Sequence, residues 1–447
     1  MGQLVKPFML IVAPVESMSG YGSRSRDVVK AILNVYSNIY EIGIQSISWG
    51  ITPMTALNDI SMIEIKNRII HPNMLRKQPD ICVMITIPQE YPQYGIGKYN
   101  IGINAGVETT AVPSKWLEGC NFVNLNLVSS EFSKAGYLNS QYTVQDKFGN
   151  PAGLLKVEKP IDVLFEGIDT KIYYKKDTST FDLSMVKEDF AYLIVGHWLQ
   201  GDIGCDRKDI GMTIRLFLET FKDMPTAPAL VLKVSIGSYS KMDYSEIKKR
   251  IEMIKSTIQA NTLPSIYLIH GNLTDTEMNE LYNHPKIKAM ILLTKGEGFG
   301  RPLLEFSVIG KPIITTGWSG HLDFLNKEYA ILLPGKLDNV PPSAIIDFII
   351  KEGQWFNVDY NVAIDAMKNV FHQYDFFLKR SKKIMYDNKI NFSLTAMQNK
   401  LKQIFSNHIP EFPQEVVLQL PAVQQKIPAL LSKFKKVEKT NEEVNNG

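Results

Sequence analysis

Two glutamates, Glu297 and Glu305, stand eight residues apart in "TKGEGFGRPLLEFSVIGKP" (294–312), around a Gly-Phe-Gly turn. Gly298 and Gly300 let the backbone come close to a ligand, and Pro302 suits the first turn of a helix because its missing amide has no partner there. Free amides at a helix start favour phosphate. Carboxylates are poor partners for phosphate but good acceptors for sugar hydroxyls. Two of them flanking an anion-binding turn therefore suit a ligand with phosphates in the middle and hydroxyl-bearing rings at both ends, the layout of a nucleotide sugar. A lone Gly-x-Gly also makes an ordinary helix entry, and Glu305 could be a solvated helix residue. The longer pattern E-G-F-G-x-P-x-x-E, placed between an apolar strand and a helix, favours the ligand.

Further candidates sit where other apolar runs end. "SGYGSRSRD" (19–27) follows the first run and opens a helix. Its Gly20 and Gly22 form a second Gly-x-Gly, equally compatible with a plain turn, and Arg24 is a candidate for an anion. Glu108 in "NAGVETT" follows a strand end and is read as an active-site carboxylate, with helix capping as the alternative. In "GWSGHLDFL", Ser319 and Gly320 are read as shaping a loop over a bound sugar, next to His321; Asp323 suits a helix cap. Trp116 and Trp198 are read as packing residues.

The elements that must hold these groups alternate along the chain. "FMLIVAPV", "GIQSISW", "DICVMITI", "YNIGINA" and "NFVNLNLVSS" read as strands, and "SRDVVKAILNVYSNIY" carries apolar residues at helical spacing. From about residue 190 the alternation restarts with "AYLIVG", "ALVLKVSIG", "SIYLIHG", "IKAMILLT" and "PIITT", separated by helical stretches. Continuous apolar runs suit strands buried on both faces of a parallel sheet, and strand–helix alternation implies doubly wound α/β layers. The expected architecture is two Rossmann-like domains facing across a cleft. Residues 1–180 form the first, with a hairpin insertion at about 138–160 that turns at "KFGNPAG". Residues 187–375 form the second, with the boundary in the polar stretch 171–189. Residues 376–410 are a helical crossover back to the first domain, and 411–447 an extended tail.

The motifs together resemble a known family. "EGFGRPLLE" resembles the E-x7-E signature of retaining GT-B glycosyltransferases of the glycogen-synthase-like superfamily, family 4 in particular, and the resemblance extends over roughly residues 5 to 405. "VGHWLQGDIGCDRKDIGMTIRLFLETF" is similar to the strand-loop-helix opening the donor domain of that family, where a basic pair binds the donor diphosphate; the pair maps onto Arg207 and Lys208. "AGVETTAVPSKWLEGCNFVNLNLVSSEFSKAGY" and "IDVLFEGIDTKIY" resemble segments of the N-terminal half of one subgroup. The chain departs from the family at His197 and Trp198, where many members carry an arginine, and in the longer loop "LQGDIGCD".

The resemblance implies a hexosyl- or pentosyltransferase that takes a UDP- or GDP-linked sugar as donor and retains anomeric configuration. Glu297 would contact the transferred sugar, Glu305 the ribose, and the amides of Phe299 and Gly300 the diphosphate. Lys208 and Arg207 would neutralise the leaving group, while Gly20 and Gly22 resemble a glycine-rich loop that approaches donor or acceptor. The acceptor would be a glycan, a protein or another small acceptor; the alternative, which the likeness to members encoded by large phages allows, is a modified base in DNA. A reading of another class is an inactive scaffold or sugar-nucleotide sensor.

Bulk properties narrow the classes. With 447 residues, 45% hydrophobic and 21% charged, the chain is an ordinary globular protein, and a net charge of +3 gives no support for a nucleic-acid-coating protein. Three widely spaced cysteines suit a reducing compartment, and no apolar run approaches the length of a membrane span, so a cytoplasmic protein is expected. No D-x-D pair, P-loop, GxSxG elbow or HExxH helix occurs, and the seven histidines show no metal-ligand spacing. Transfer without metal or further cofactor is therefore expected.

Overall fold

A computed structural model describes residues 3–237 and 239–417. Two parallel six-stranded sheets dominate residues 7–412, which form one compact unit. The first sheet runs, in spatial order, Glu41–Ser46, Phe8–Ala13, Ile81–Ile85, Tyr99–Ile103, Leu125–Val128 and Ile161–Val163. The second runs Ile266–Leu268, Ala229–Ser235, Ala191–His197, Ile287–Leu292, Ile313–Thr316 and Ile331–Leu333. Its order is 3-2-1-4-5-6 in chain sequence, the doubly wound arrangement whose ligands bind where the winding reverses.

Burial explains the strands. Phe8–Ala13, Ile81–Ile85 and Ala229–Ser235 are buried along their whole length, because helices cover both faces of each sheet. The connecting helices start at local caps. Ser19 accepts from the Gly22 amide at the head of helix Gly20–Tyr36, and Thr274 with Glu277 forms a reciprocal capping box at helix Asp275–Asn283. Each sheet has its own apolar core. The late helix Leu394–His408 places Met397, Leu401, Ile404 and Phe405 in the core of the first sheet, so the chain returns there after completing the second.

Three features lie outside the sequence reading. Strand Ile331–Leu333 closes the second sheet. Gly335–Asn339 and Gln354–Val358 then form an antiparallel hairpin that docks on the first half: the Thr110 amide donates to the Gln354 carbonyl (2.9 Å) and the Gln354 amide to Thr110 Oγ1 (2.8 Å). Third, the segment read as an extended tail begins with strand Glu415–Val417, paired antiparallel with Gln3–Val5 in a second small unit. The rest of that expected tail, 418–447, lies outside the described residues. The hairpin Tyr142–Gln145 with Pro151–Leu155 forms around the "KFGNPAG" turn. Among the described residues, no helix is long and apolar enough to cross a membrane.

Candidate active site

Winding of the second sheet reverses between strands Ala191–His197 and Ile287–Leu292. The loop after the first of these carries Arg207 and Lys208; the loop after the second carries Glu297. Topology alone thus brings together segments ninety residues apart. Lys208 is 8% exposed and Glu297 6%, and the Lys208 ammonium is hydrogen-bonded to Glu297 Oε1. Beside them the Arg207 guanidinium pairs with the Glu108 carboxylate, contributed by the first half. Arg207 Nε and Glu108 Oε2 are buried without a hydrogen-bond partner among the described residues. Burial works to raise the Glu297 carboxyl, but the charges of Lys208 and Arg207 outweigh it and hold the group below the usual carboxylate range.

Lys208 is aimed by the turn around it. Asp206 accepts from the Ile210 amide (3.0 Å) and the Gly211 amide (3.3 Å), starting helix Ile210–Phe221. Burial, and then the neighbouring Asp209 charge, push the Asp206 carboxyl up to about 6. Asp209, directly after Lys208, holds the left-handed conformation at φ 52°.

Glu297 is held by its main chain. Its amide donates to Ser319 Oγ (2.9 Å) and its carbonyl accepts from the Gly320 amide (2.9 Å). His321 is fully buried, with Nε2 donating to the Thr316 carbonyl (2.7 Å); burial lowers its pKa, against the opposing pull of that hydrogen bond and of the Glu297 charge. At Gly298 only a glycine fits, since a Cβ would lie 2.2 Å from the Ala105 carbonyl oxygen. The Gly298 carbonyl in turn lies 2.9, 2.6 and 3.2 Å from the hydroxyls of Ser129, Ser130 and Ser133, all of the first half. The glutamate loop is gripped by both halves.

Other expected residues are placed differently. The Glu305 carboxylate already has partners on both oxygens: Arg301 Nε donates to Oε1 (3.0 Å) and the Tyr282 hydroxyl to Oε2 (3.0 Å). Arg301 continues to Asp27 Oδ2 (2.7 Å), with Glu166 3.8 Å away. Burial, opposed by Arg301, raises the Glu305 carboxyl to about 7. The expected anion partner Arg24 instead faces inward, 1% exposed, donating to the Leu164 carbonyl (2.9 Å) with Glu166 3.5 Å away. Gly22 is explained by packing: a Cβ there would lie 2.0 Å from the Ser17 carbonyl oxygen. Gly20 is exposed, with open space around it. Phe299 packs its ring against Phe324, and the helix after Gly300 runs only seven residues, Arg301–Ser307. Trp116 and Trp198 are packing residues as expected: Trp116 stacks on Tyr137, and Trp198 lies buried beneath Arg250. Asp323 does serve a helix start, but across the halves: it accepts from the Glu131 amide at the head of helix Glu131–Asn139 (3.0 Å) rather than capping the helix that follows it.

Sequence reasoning missed Asp27, Glu166, Arg301, Lys295 and Asp209. Only the spacing of Arg301 and Glu305, four residues apart on one helix, was a local signal. Among the described residues, no group of three or more His, Cys, Asp or Glu is placed to hold a metal ion.

No protein-family model matches the sequence, and no curated protein matches it. Solved structures do match in shape. HepE of Anabaena, in complex with UDP and glucose, is 12% identical with a TM-score of 0.58 over 90% of this chain and 100% of that one. A glycosyltransferase from Rickettsia africae is 14% identical with a TM-score of 0.56 over 91% and 100%. The sucrose-phosphate synthase of Thermosynechococcus elongatus is 12% identical with a TM-score of 0.56 over 90% and 98%. Two doubly wound parallel sheets, matched nearly end to end by these structures, give this chain the GT-B fold.

Proposed function

We propose that the protein transfers a sugar from a nucleotide-diphosphate sugar to an acceptor with retention of anomeric configuration. One observation carries the reading: two cations and two carboxylates converge at the switch point of the second sheet, with Arg207 Nε and Glu108 Oε2 left without partners. A diphosphate offers oxygens to Arg207 and Lys208. The sugar attached to it offers hydroxyls to the carboxylates those cations release. The HepE structures contain UDP, UDP with glucose, or UDP-glucose, which supports the same ligand class here.

In this reading the second half, residues 187–375, holds the donor and the first half, residues 1–180, the acceptor. Lys208 and Arg207 meet the charge that develops on the departing diphosphate, the place where preorganised cations act most strongly. Glu297 orients the transferred sugar, with Ser319, Gly320 and His321 fixing the loop behind it. No step requires a metal ion, because the two cations supply the positive charge. Glu305 reaches the ribose by exchanging the Tyr282 hydroxyl for a ribose hydroxyl.

The test is a panel of UDP-, GDP- and ADP-linked sugars, read by thermal stabilisation and by NMR of the released sugar. One donor class should raise the melting temperature and be slowly hydrolysed, and the first anomer released should match the configuration of the donor. A protein stabilised by none of them at millimolar concentration lacks the donor site; release of the inverted anomer removes retention.

A further inference from the structure

Lys295 stands two residues before Glu297, and the structure makes it a junction. Its Nζ is almost fully buried and donates to Asp209 Oδ2 (3.1 Å), to Asn357 Oδ1 (2.7 Å) and to the Tyr360 hydroxyl oxygen (3.3 Å). The Tyr360 hydroxyl donates to the same Asp209 oxygen (2.8 Å). The Lys295 amide donates to the Arg207 carbonyl (3.0 Å), and its carbonyl accepts from the Phe356 amide (2.9 Å). Lys295 therefore grips the chain on both sides of Lys208, at the carbonyl of residue 207 and the carboxylate of residue 209. Through its own backbone it also carries Glu297, the partner of Lys208.

Two physical points argue that this is more than a stabilising contact. A buried ion pair adds little net stability against an apolar pair of similar volume, because desolvation of both charges offsets their attraction. Asp209 also adopts a conformation that costs an ordinary side chain energy and that glycine adopts freely. Its carboxylate, bonded to Lys295 and Tyr360, holds that turn in place, and the turn decides where the Lys208 side chain leaves the backbone.

Resting on the function proposed above, we infer that Lys295 and Asp209 are positioning residues that set the Lys208 ammonium against the diphosphate of the donor and against Glu297. They touch no ligand themselves and act through Lys208.

The test is the double variant Asp209→Gly/Lys295→Met, which removes both charges together and leaves a residue that accepts the backbone conformation. A misplacement of about 1 Å at a catalytic group costs about 100-fold in rate, so kcat should fall about 100-fold while the KM for donor stays within about threefold. Its crystal structure should show the Lys208 ammonium out of hydrogen-bond reach of Glu297. Asp209→Asn, which tolerates the left-handed turn and keeps an acceptor, should retain most of the turnover. Tyr360→Phe removes one oxygen and keeps the ring and both charges, so it reads the same device with a smaller change in packing; kcat should drop several-fold at unchanged KM. Wild-type kcat in both the double variant and Tyr360→Phe, or an unmoved Lys208, overturns the inference. A wild-type protein that turns over no nucleotide sugar defeats the functional reading instead, and the Lys208–Glu297 distance in the double variant still decides the positioning.

Discussion

Replacing Glu305 by glutamine should change how stability depends on pH. Glu305 is buried, and its carboxyl is raised from 4.5 to about 7, by burial first, against the opposing charge of Arg301. Below about pH 4.5 both the folded and unfolded chains carry the proton, and the group is silent. Between 4.5 and 7 the folded chain keeps a proton that the unfolded chain has lost, so stability falls as pH rises; above 7 the loss is complete. At about 1.4 kcal/mol per pH unit, the group costs about 3 kcal/mol at pH 8 relative to pH 4. A glutamine at 305 can still accept from Arg301 Nε and meet the Tyr282 hydroxyl, but it never ionises. Relative to wild type, Glu305→Gln should therefore gain about 3 kcal/mol between pH 4.5 and 7.5, a difference from which other titrating groups cancel. Urea unfolding of both proteins at several pH values, followed by circular dichroism, measures it. A difference that stays flat with pH would refute the reasoning, because Glu305 would then be ionised throughout, held by Arg301.

Lys208→Ala should lower kcat by about 100- to 1,000-fold, the scale of losing one preorganised group at a developing charge, with a smaller effect on donor KM; steady-state kinetics decides. Transfer by the wild-type enzyme should persist in excess EDTA, and activity abolished by EDTA and restored by magnesium would show that a cation shares the work assigned to Lys208 and Arg207. Gly22→Ala should destabilise the protein by about 1–3 kcal/mol, because the new methyl would lie 2.0 Å from the Ser17 carbonyl oxygen; a thermal melt identical to wild type would contradict the packing at the start of helix Gly20–Tyr36.

How far the sequence could be read follows from what kind of information each feature carries. Strands such as Ile81–Ile85 and Ala229–Ser235 were legible because burial on both faces leaves an uninterrupted apolar run. Strand Gly335–Asn339 was not: it is polar and mostly exposed, and its pairing with Gln354–Val358 spans a loop of fourteen residues whose sequence carries no tight-turn signal. In the site, Glu297, Arg207 and Lys208 stood out by motif and resemblance, and the fold brings them together. The partners Asp27 and Glu166 of Arg301, and Asp209 of Lys295, are charged residues in unremarkable local contexts. Their meaning lies in pairings 274, 135 and 86 residues long, which no local pattern encodes. Arg24 misled for the same reason, since an arginine beside a glycine turn gives no sign of which way its helix will face.

Charge accounting at the switch point explains why such a site would select a whole nucleotide sugar over its parts. Arg207 and Lys208 against Glu108 and Glu297 sum to zero, and all four are largely buried. A free phosphate that captured the two cations would leave two buried carboxylates without partners, at a cost of several kcal/mol each. A free sugar could bond the carboxylates only by competing with the cations already there, exchanging charged hydrogen bonds for weaker ones. A ligand that presents phosphate oxygens and sugar hydroxyls together satisfies both sides of each pair at once, and only then does opening the pairs become favourable. The two exchanges are not equivalent. Lys208 and Glu297 both belong to the second half, so parting them leaves the halves joined as before. Arg207 and Glu108 bond across the halves, so under the function proposed above a diphosphate that takes Arg207 also removes a bond between them and leaves the Glu108 carboxylate free on the first half.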